Sequence, residues 1–198
     1  ASSGGMAALW LTGSQLGVGV GGVAGELHYE GLVPLPKRPT IEAVGRVFHD
    51  ALQLLADWTR RRRVQLAQIG VSVPGLGRLS ELVNPIIPCD IALVRGMCGE
   101  AFAGVPVEFT NSVVAHAMFH RCRTENYPLD GAHLFVFVGQ GVAGAWVDDA
   151  IEADALLPVE LGHMVFGEGG PRCRCGHHCC GESFTSLPAL ADLLWCSG

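Results

Sequence analysis

Between His163 and Cys180 the chain concentrates strong metal donors in one short stretch. The order is His163, nine residues, Cys173-Arg174-Cys175, four residues, Cys180. A chain that must bring three thiolates and an imidazole onto one ion cannot lay this stretch out as a strand or a long helix. It has to fold back as a loop. Zinc takes four such ligands as a tetrahedron, and three Cys with one His is a common structural set. The Cys-x-Cys pair places two sulfurs on one ion from a tight turn, and Gly176 supplies the backbone freedom this needs. Arg172 and Arg174 can offset the thiolate charge. A fully ligated ion has no open position, so the expected Zn2+ is structural rather than catalytic. His177, His178 and Cys179 crowd the same loop and compete as ligands. Free or disulfide-bonded thiols are the alternative. The chain has 8 Cys and no secretory signal is evident, so a reducing, cytoplasmic setting is expected, and it favours metal over disulfides.

The rest of the chain reads as α/β. Hydrophobic residues make up 49% and charged residues 16%, enough apolar material for a core. Net charge is -6, which argues against these residues gripping nucleic acid themselves. No apolar run approaches the ~18 residues a membrane helix needs, so no membrane partner is expected. Ala1 to Gly5 reads as a linker, tag remnant or frayed terminus. Met6–Leu11 and Leu16–Val20 suit two strands of a hairpin around Thr12-Gly13-Ser14. Pro34, Pro36 and Pro39 mark an extended connector. Thr40 caps a helix with Ile41, Val44, Phe48, Leu52 and Leu55 on one face, ending in Arg60 to Arg63. Ile69–Val73 is a short strand stopped by Pro74-Gly75. Ile91–Phe102 is a helix, Val105–Phe109 a strand, and Asn111 caps the next helix. Leu134–Val138 reads as a buried strand followed by a glycine turn at Gly139, Gly141 and Gly144. Thr185 or Ser186 opens a last helix. Strands and helices interleave, which is the α/β pattern.

Several of these segments together resemble a known family. Glu160-Leu161-Gly162-His163, then Cys173-Arg174-Cys175-Gly176 and Cys180-Gly181-Glu182, is similar to the signature of the ROK family (repressors, open reading frames and sugar kinases). Cys179 departs, standing where that family has Gly. Val71-Ser72-Val73-Pro74-Gly75, Asn84-Pro85, Phe109-Thr110-Asn111-Ser112 and the glycine loop Gly139–Gly144 fit in order. The resemblance implies an actin-like, sugar-kinase (ribonuclease H-like) fold, with mixed sheets flanked by helices and a zinc-binding loop. It implies two lobes, an N-terminal one over residues 1–110 and the start of a second over 111–198, incomplete at its C-terminus.

The resemblance also implies roles. Gly75, Asn111, Ser112, Glu160, His163 and Glu182 fall at sugar-side positions, and His163, Cys173, Cys175 and Cys180 at metal positions. His163 has two ring nitrogens, so one can bind zinc while the other reaches a hydroxyl. The family's sugar kinases take a proton from the sugar hydroxyl with an Asp. Ser112 stands there, and a serine hydroxyl does not accept a proton near neutral pH without a base of its own. Trp10, Thr12 and Ser14 occupy the first phosphate motif's Asp, Gly and Thr, and Gln140 replaces the Thr of the second. No catalytic residue is therefore assigned.

The expected function is a sugar-sensing or scaffold domain of a ROK-type transcriptional regulator. Its expected partners are a sugar or sugar phosphate and a second copy in a homodimer. No helix-turn-helix is evident, so any DNA contact would come from a segment outside these residues. The alternatives are a ROK sugar kinase with an unusual base, or a zinc-stabilised interaction domain that binds no sugar. Weaker signals read as structure: Arg60–Arg63 as a solvated helix end, His116 and His120 as a surface pair, Cys89, Cys98 and Cys122 as isolated thiols, and Trp146 as packing on the sheet.

Overall fold

The computed structural model describes residues 4–22, 24–75, 84, 87–123, 131–148 and 157–196. These fall into two compact units, one up to Ser112 and one from Val113 onward.

The first unit is built on a five-stranded sheet. β1 (Gly5–Leu11) and β2 (Gln15–Gly21) form the expected hairpin, and β3 (Leu27–Pro34) adds a third antiparallel strand. β4 (Leu66–Val73) and β5 (Val107–Asn111) run parallel to β1, giving the order β3-β2-β1-β4-β5. Parallel neighbours need a crossover. Here α1 (Ile41–Arg62) precedes β4 and α2 (Ile91–Ala101) precedes β5. Both helices start on a side-chain cap. The Thr40 hydroxyl accepts from the Ala43 amide at 3.2 Å, and the Asp90 carboxylate from the Leu93 amide at 2.9 Å. The core forms where alternate residues of two strands meet one stripe of α1. Leu9, Leu11, Leu16, Val18 and Val20 pack with Val44, Phe48, Ala51 and Leu55, all nearly inaccessible.

β3 is absent from the sequence expectation, which placed only glycine bends and a proline connector there. Its residues alternate between exposed and half-buried, and it lies at the sheet edge. An edge strand buries too little to show a clean apolar period. It is anchored by Tyr29, whose ring stacks on Trp58 of α1 at 5.5 Å.

The second unit holds α3 (Ser112–Arg123), an antiparallel sheet β6-β7-β8 (His133–Val138, Val142–Val147, Leu157–Val159), a 3-10 turn at Leu161–His163, and two helices, α4 (Glu182–Thr185) and α5 (Leu187–Cys196). Val113, Val114 and Ala117 of α3 pack on Ala145 and Val147 of β7. The Ser186 hydroxyl accepts from the Ala189 amide at 3.4 Å and so opens α5, one of the two expected caps. The expected buried strand at Leu134–Val138 is a strand, but an exposed one. Val136 and Val138 are each 49% accessible. β6 pairs with β7 alone among the described strands. On one face it receives α3, with His116 stacked on Phe137 at 4.9 Å and His120 on Phe135 at 5.5 Å. Leu134, Val136 and Val138 point the other way. Trp146, opposite Leu134, is 44% accessible for the same reason.

Candidate functional site

The cysteine loop folds back as its spacing requires. A turn closes on the Gly176 amide donating to the Cys173 carbonyl at 3.0 Å, and the Cys173 amide donates to the His177 carbonyl at 2.8 Å. Gly176 adopts φ 99, the left-handed region in which glycine costs least. Cys180 then returns alongside Val165. The result gathers His163, Cys173, Cys175 and Cys180 with their donor atoms within 4.8 Å of one another.

Those distances fit a tetrahedral ion. Cys173 Sγ lies 3.6 Å from His163 Nδ1, and Cys175 Sγ lies 3.6 Å from Cys180 Sγ. With Zn–S near 2.3 Å and Zn–N near 2.0 Å, tetrahedron edges of roughly 3.5–3.8 Å are expected. Cys173 and Cys180 are buried. Two of the competing donors, Cys179 and His178, face elsewhere. The Cys179 sulfur lies under Gly170, where a Cβ would overlap it, and His178 Nδ1 sits 3.0 Å from the Gly170 carbonyl. Cys179 adopts φ 57, a conformation that favours the glycine of the family pattern.

The electrostatics favour a cation. Burial pushes the Cys180 thiol up to about 12, with the Cys175 and Cys173 sulfurs adding to the effect. Burial also opposes ionisation of Cys175, but the His177 amide and the neighbouring sulfurs outweigh it and hold that thiol below the usual range. The Cys175 and Cys180 sulfurs, 3.6 Å apart, resist joint ionisation, and a divalent ion would remove the conflict by binding both as thiolates.

His163 turns its second nitrogen outward. Nε2 lies 3.9 Å from Glu160 Oε2, so a carboxylate backs the imidazole, as is usual for metal-ligating histidines. Burial raises the Glu160 carboxyl, His163 partly offsets this, and the nearby Glu182 carboxylate adds to the rise. Glu182 does more than its sequence pattern indicated. Its Oε2 accepts from the Val142 amide at 3.0 Å, and Oε1 lies 4.0 Å from Cys173 Sγ. One carboxylate thus touches both the metal loop and the β6–β7 turn. Nothing in the sequence signals this bond, because one partner is a backbone amide 40 positions away. Glu182→Ala is expected to cost about 1–3 kcal/mol by leaving that half-buried N–H unpaired. Glu182→Gln, which keeps an acceptor, should cost less; chemical denaturation of the two variants checks the order.

In the first unit, Asn111 is buried at the end of β5, and its Nδ2 donates to the Gly75 carbonyl at 2.7 Å. Asn84 holds the same turn, donating to the Pro74 carbonyl at 3.2 Å and accepting from the Ile87 amide at 2.9 Å. Pro85 lies outside the described residues. Ser112 follows, and its buried hydroxyl has no partner among the described residues.

The phosphate-motif positions are filled differently from the pattern they resemble. Thr12 closes the β1–β2 turn, its hydroxyl donating to the Gln15 carbonyl at 2.8 Å and accepting from the Gln15 amide at 3.2 Å. The Trp10 indole lies across β2, so that a Cβ on Gly17 would overlap the ring and one on Gly19 would sit 3.2 Å from it. The glycine loop at Gly139–Gly141 is a tight hairpin turn, with the Gly139 amide donating to the Gly141 carbonyl at 2.8 Å.

Comparison with known proteins decides the family. The ROK family profile matches residues 6–195. The chain belongs to the ROK family. Its fold is the actin-like sugar-kinase fold, mixed sheet flanked by helices. An N-acetylmannosamine kinase of Vibrio cholerae serotype O1 is 26% identical over 159 residues, covering 77% of this chain and 53% of its own length. This ROK chain thus spans about half the length of the curated relatives it matches. A solved ROK family transcriptional regulator, a homolog of the E. coli MLC protein, superimposes with TM-score 0.78 at 17% identity, over 99% of this chain and 50% of that one. The ROK hexokinase of Thermus thermophilus superimposes with TM-score 0.63 at 26% identity, over 98% and 64%. Among the described residues no helix is long and apolar enough to cross a membrane.

Proposed function

We propose that this ROK chain is a sugar-recognising part of a transcriptional regulator, with a structural zinc ion and no phosphoryl transfer of its own. The observation that carries the reading is Trp10. Its indole occupies the glycine face of β2 at the position where the family pattern has the Asp of its first phosphate motif. A hydrated magnesium ion needs oxygen ligands, which indole does not offer. Ser112 in place of the general base points the same way, since losing such a base costs about 10²- to 10⁴-fold in rate.

The sugar side is better equipped. Glu160 and Glu182 are acceptors for hydroxyl donors, His163 has Nδ1 beside Cys173 and Nε2 beside Glu160, and Asn111 lies beside the Gly75 turn with Ser112 next to it in the chain. We assign the sugar contacts to Gly75, Asn111, Ser112, Glu160, His163 and Glu182, and the zinc to His163, Cys173, Cys175 and Cys180. Zinc held this way fixes the His163 ring and supplies folding energy. Homodimerisation, and DNA contact through a segment outside these residues, belong to the same reading.

The second reading, a sugar kinase, is favoured by the 26% identity to an N-acetylmannosamine kinase. Thermal unfolding with N-acetylmannosamine, glucose and related hexoses tests the first. A sugar at a hundred times its dissociation constant adds about 2.7 kcal/mol of stability. That shift should vanish in Glu160→Ala. A shift that survives Glu160→Ala, or no shift with any sugar in the panel, contradicts the sugar assignment.

A further inference from the structure

We propose that the cleft at the C-terminal ends of α1 and α2 binds a small phosphate monoester. An open cleft of about 430 Å³ lies there, bounded by Ala56, Arg60, Arg63, Gln65, Ala101 and Phe102. Small-molecule sites run roughly 300–1,000 Å³. All of these residues belong to the first unit. The cleft sits where β4 begins, whereas the Gly75 turn and Asn111 sit where β4 and β5 end. At ~3.3 Å per residue, β4 separates the two places by about 25 Å.

Charge singles out this place. Arg60, Arg61, Arg62 and Arg63 follow one another in a chain of net charge -6. The Arg60 guanidinium reaches Asp57 at 2.9 Å, but both side chains are largely exposed, at 74% and 50%, so water screens the pair and leaves donors to spare. Arg63 has no carboxylate partner among the described residues. It is held in place by its backbone. Arg63 adopts φ 55, its amide donates to the Arg60 carbonyl at 3.3 Å, and the Val64 amide donates to the Thr59 carbonyl at 3.0 Å. A helix C-terminus ordinarily repels an anion. Here two of the last carbonyls are already bonded, and the Thr59 hydroxyl donates to those of Leu55 and Ala56. Arg60 and Arg63 add two cationic side chains to the lining of the cleft.

Two guanidinium forks match the charge of a phosphate monoester, about −1.5 to −2 near neutral pH, better than that of a single carboxylate. Gln65 adds an amide. Ala56 and Ala101 leave room for a ring-sized body beside Phe102. A polyanion lying along the surface would engage Arg61 and Arg62 as well, and neither lines the cleft.

Calorimetric titration with glucose 6-phosphate, inorganic phosphate and glucose tests the site. Glucose 6-phosphate should bind the wild-type chain, and its affinity should fall at least about tenfold in Arg60→Gln/Arg63→Gln. It should hold in Arg61→Gln/Arg62→Gln. All four arginines are exposed, so neither double variant threatens folding, which circular dichroism verifies. Each of these results overturns the proposal: no binding of the ester, equal losses in the two arginine variants, or inorganic phosphate binding as tightly as the ester. Duplex DNA binding that depends on Arg61 and Arg62 would reassign the run to a polyanion and overturn it too.

Discussion

Removing the metal is expected to abolish the cooperative unfolding of the second unit. Structural zinc in Cys/His sites contributes roughly 10–16 kcal/mol of binding free energy. The whole stability of a domain is about 5–15 kcal/mol. The second unit has little else to rely on. Its described core is five small residues, Val113, Val114, Ala117, Ala145 and Val147, while Phe166, Leu194 and Trp195 are more than two-thirds accessible. A strong chelator, or Cys173→Ser or Cys180→Ser, should remove its calorimetric transition while leaving that of the first unit in place. Elemental analysis should find one zinc per chain before treatment and none after. A chain that is folded and metal-free as purified would overturn the metal assignment.

The second large effect concerns Gly162. A Cβ added there would overlap the Val142 carbonyl oxygen and approach the Val142 side chain at 3.1 Å. The obstacle is backbone, which cannot rotate away. Gly162→Ala must therefore push the 3-10 turn off β7 or break the turn, at a cost of about 1–3 kcal/mol or more. Glu160 and His163 flank that glycine, so the change also displaces a candidate metal ligand and the carboxylate beside it. Misplacing such supporting groups typically costs 10- to 100-fold in metal affinity. Competition with a chromogenic zinc chelator measures it. Wild-type affinity in Gly162→Ala would show that this close approach does not position His163.

Much of this fold was legible in the sequence because several elements carry their own signals. Thr40 and Asp90 cap helices locally, and α1 repeats its apolar residues at helical spacing. β1 and β4 are apolar runs stopped by turn residues. β3 and β8 were not legible. β3 is an edge strand whose burial is shallow, and β8 is three residues long with proline at its centre. β6 misled in the opposite direction. Its composition, His-Leu-Phe-Val-Phe-Val, is that of a buried strand, yet sequence cannot say which neighbours are present to bury it.

The candidate site divides in the same way. The four residues that could hold a metal could be read from spacing, since a shared ion would demand that they converge. The sequence already prefers Cys180 to Cys179, and the structure adds a physical reason: the Cys179 sulfur lies under Gly170. Glu182 could be singled out as an acid beside a ligand, but its bond to the Val142 amide could not. Trp10 was legible as a departure from the phosphate motif. That its ring lies flat on Gly17 required the register of β1 against β2, in which Trp10 stands opposite Gly17.

The most direct test of sugar recognition without phosphoryl transfer uses labelled ATP, magnesium and any sugar that shifts the melting temperature. It is best made on the longest natural polypeptide that carries these residues. The expected result is no labelled sugar above a protein-free control, while the sugar still stabilises the protein and Glu160→Ala abolishes that stabilisation. Labelled sugar phosphate formed at a steady rate, and lost in Ser112→Ala, would contradict the account and make this chain part of a kinase.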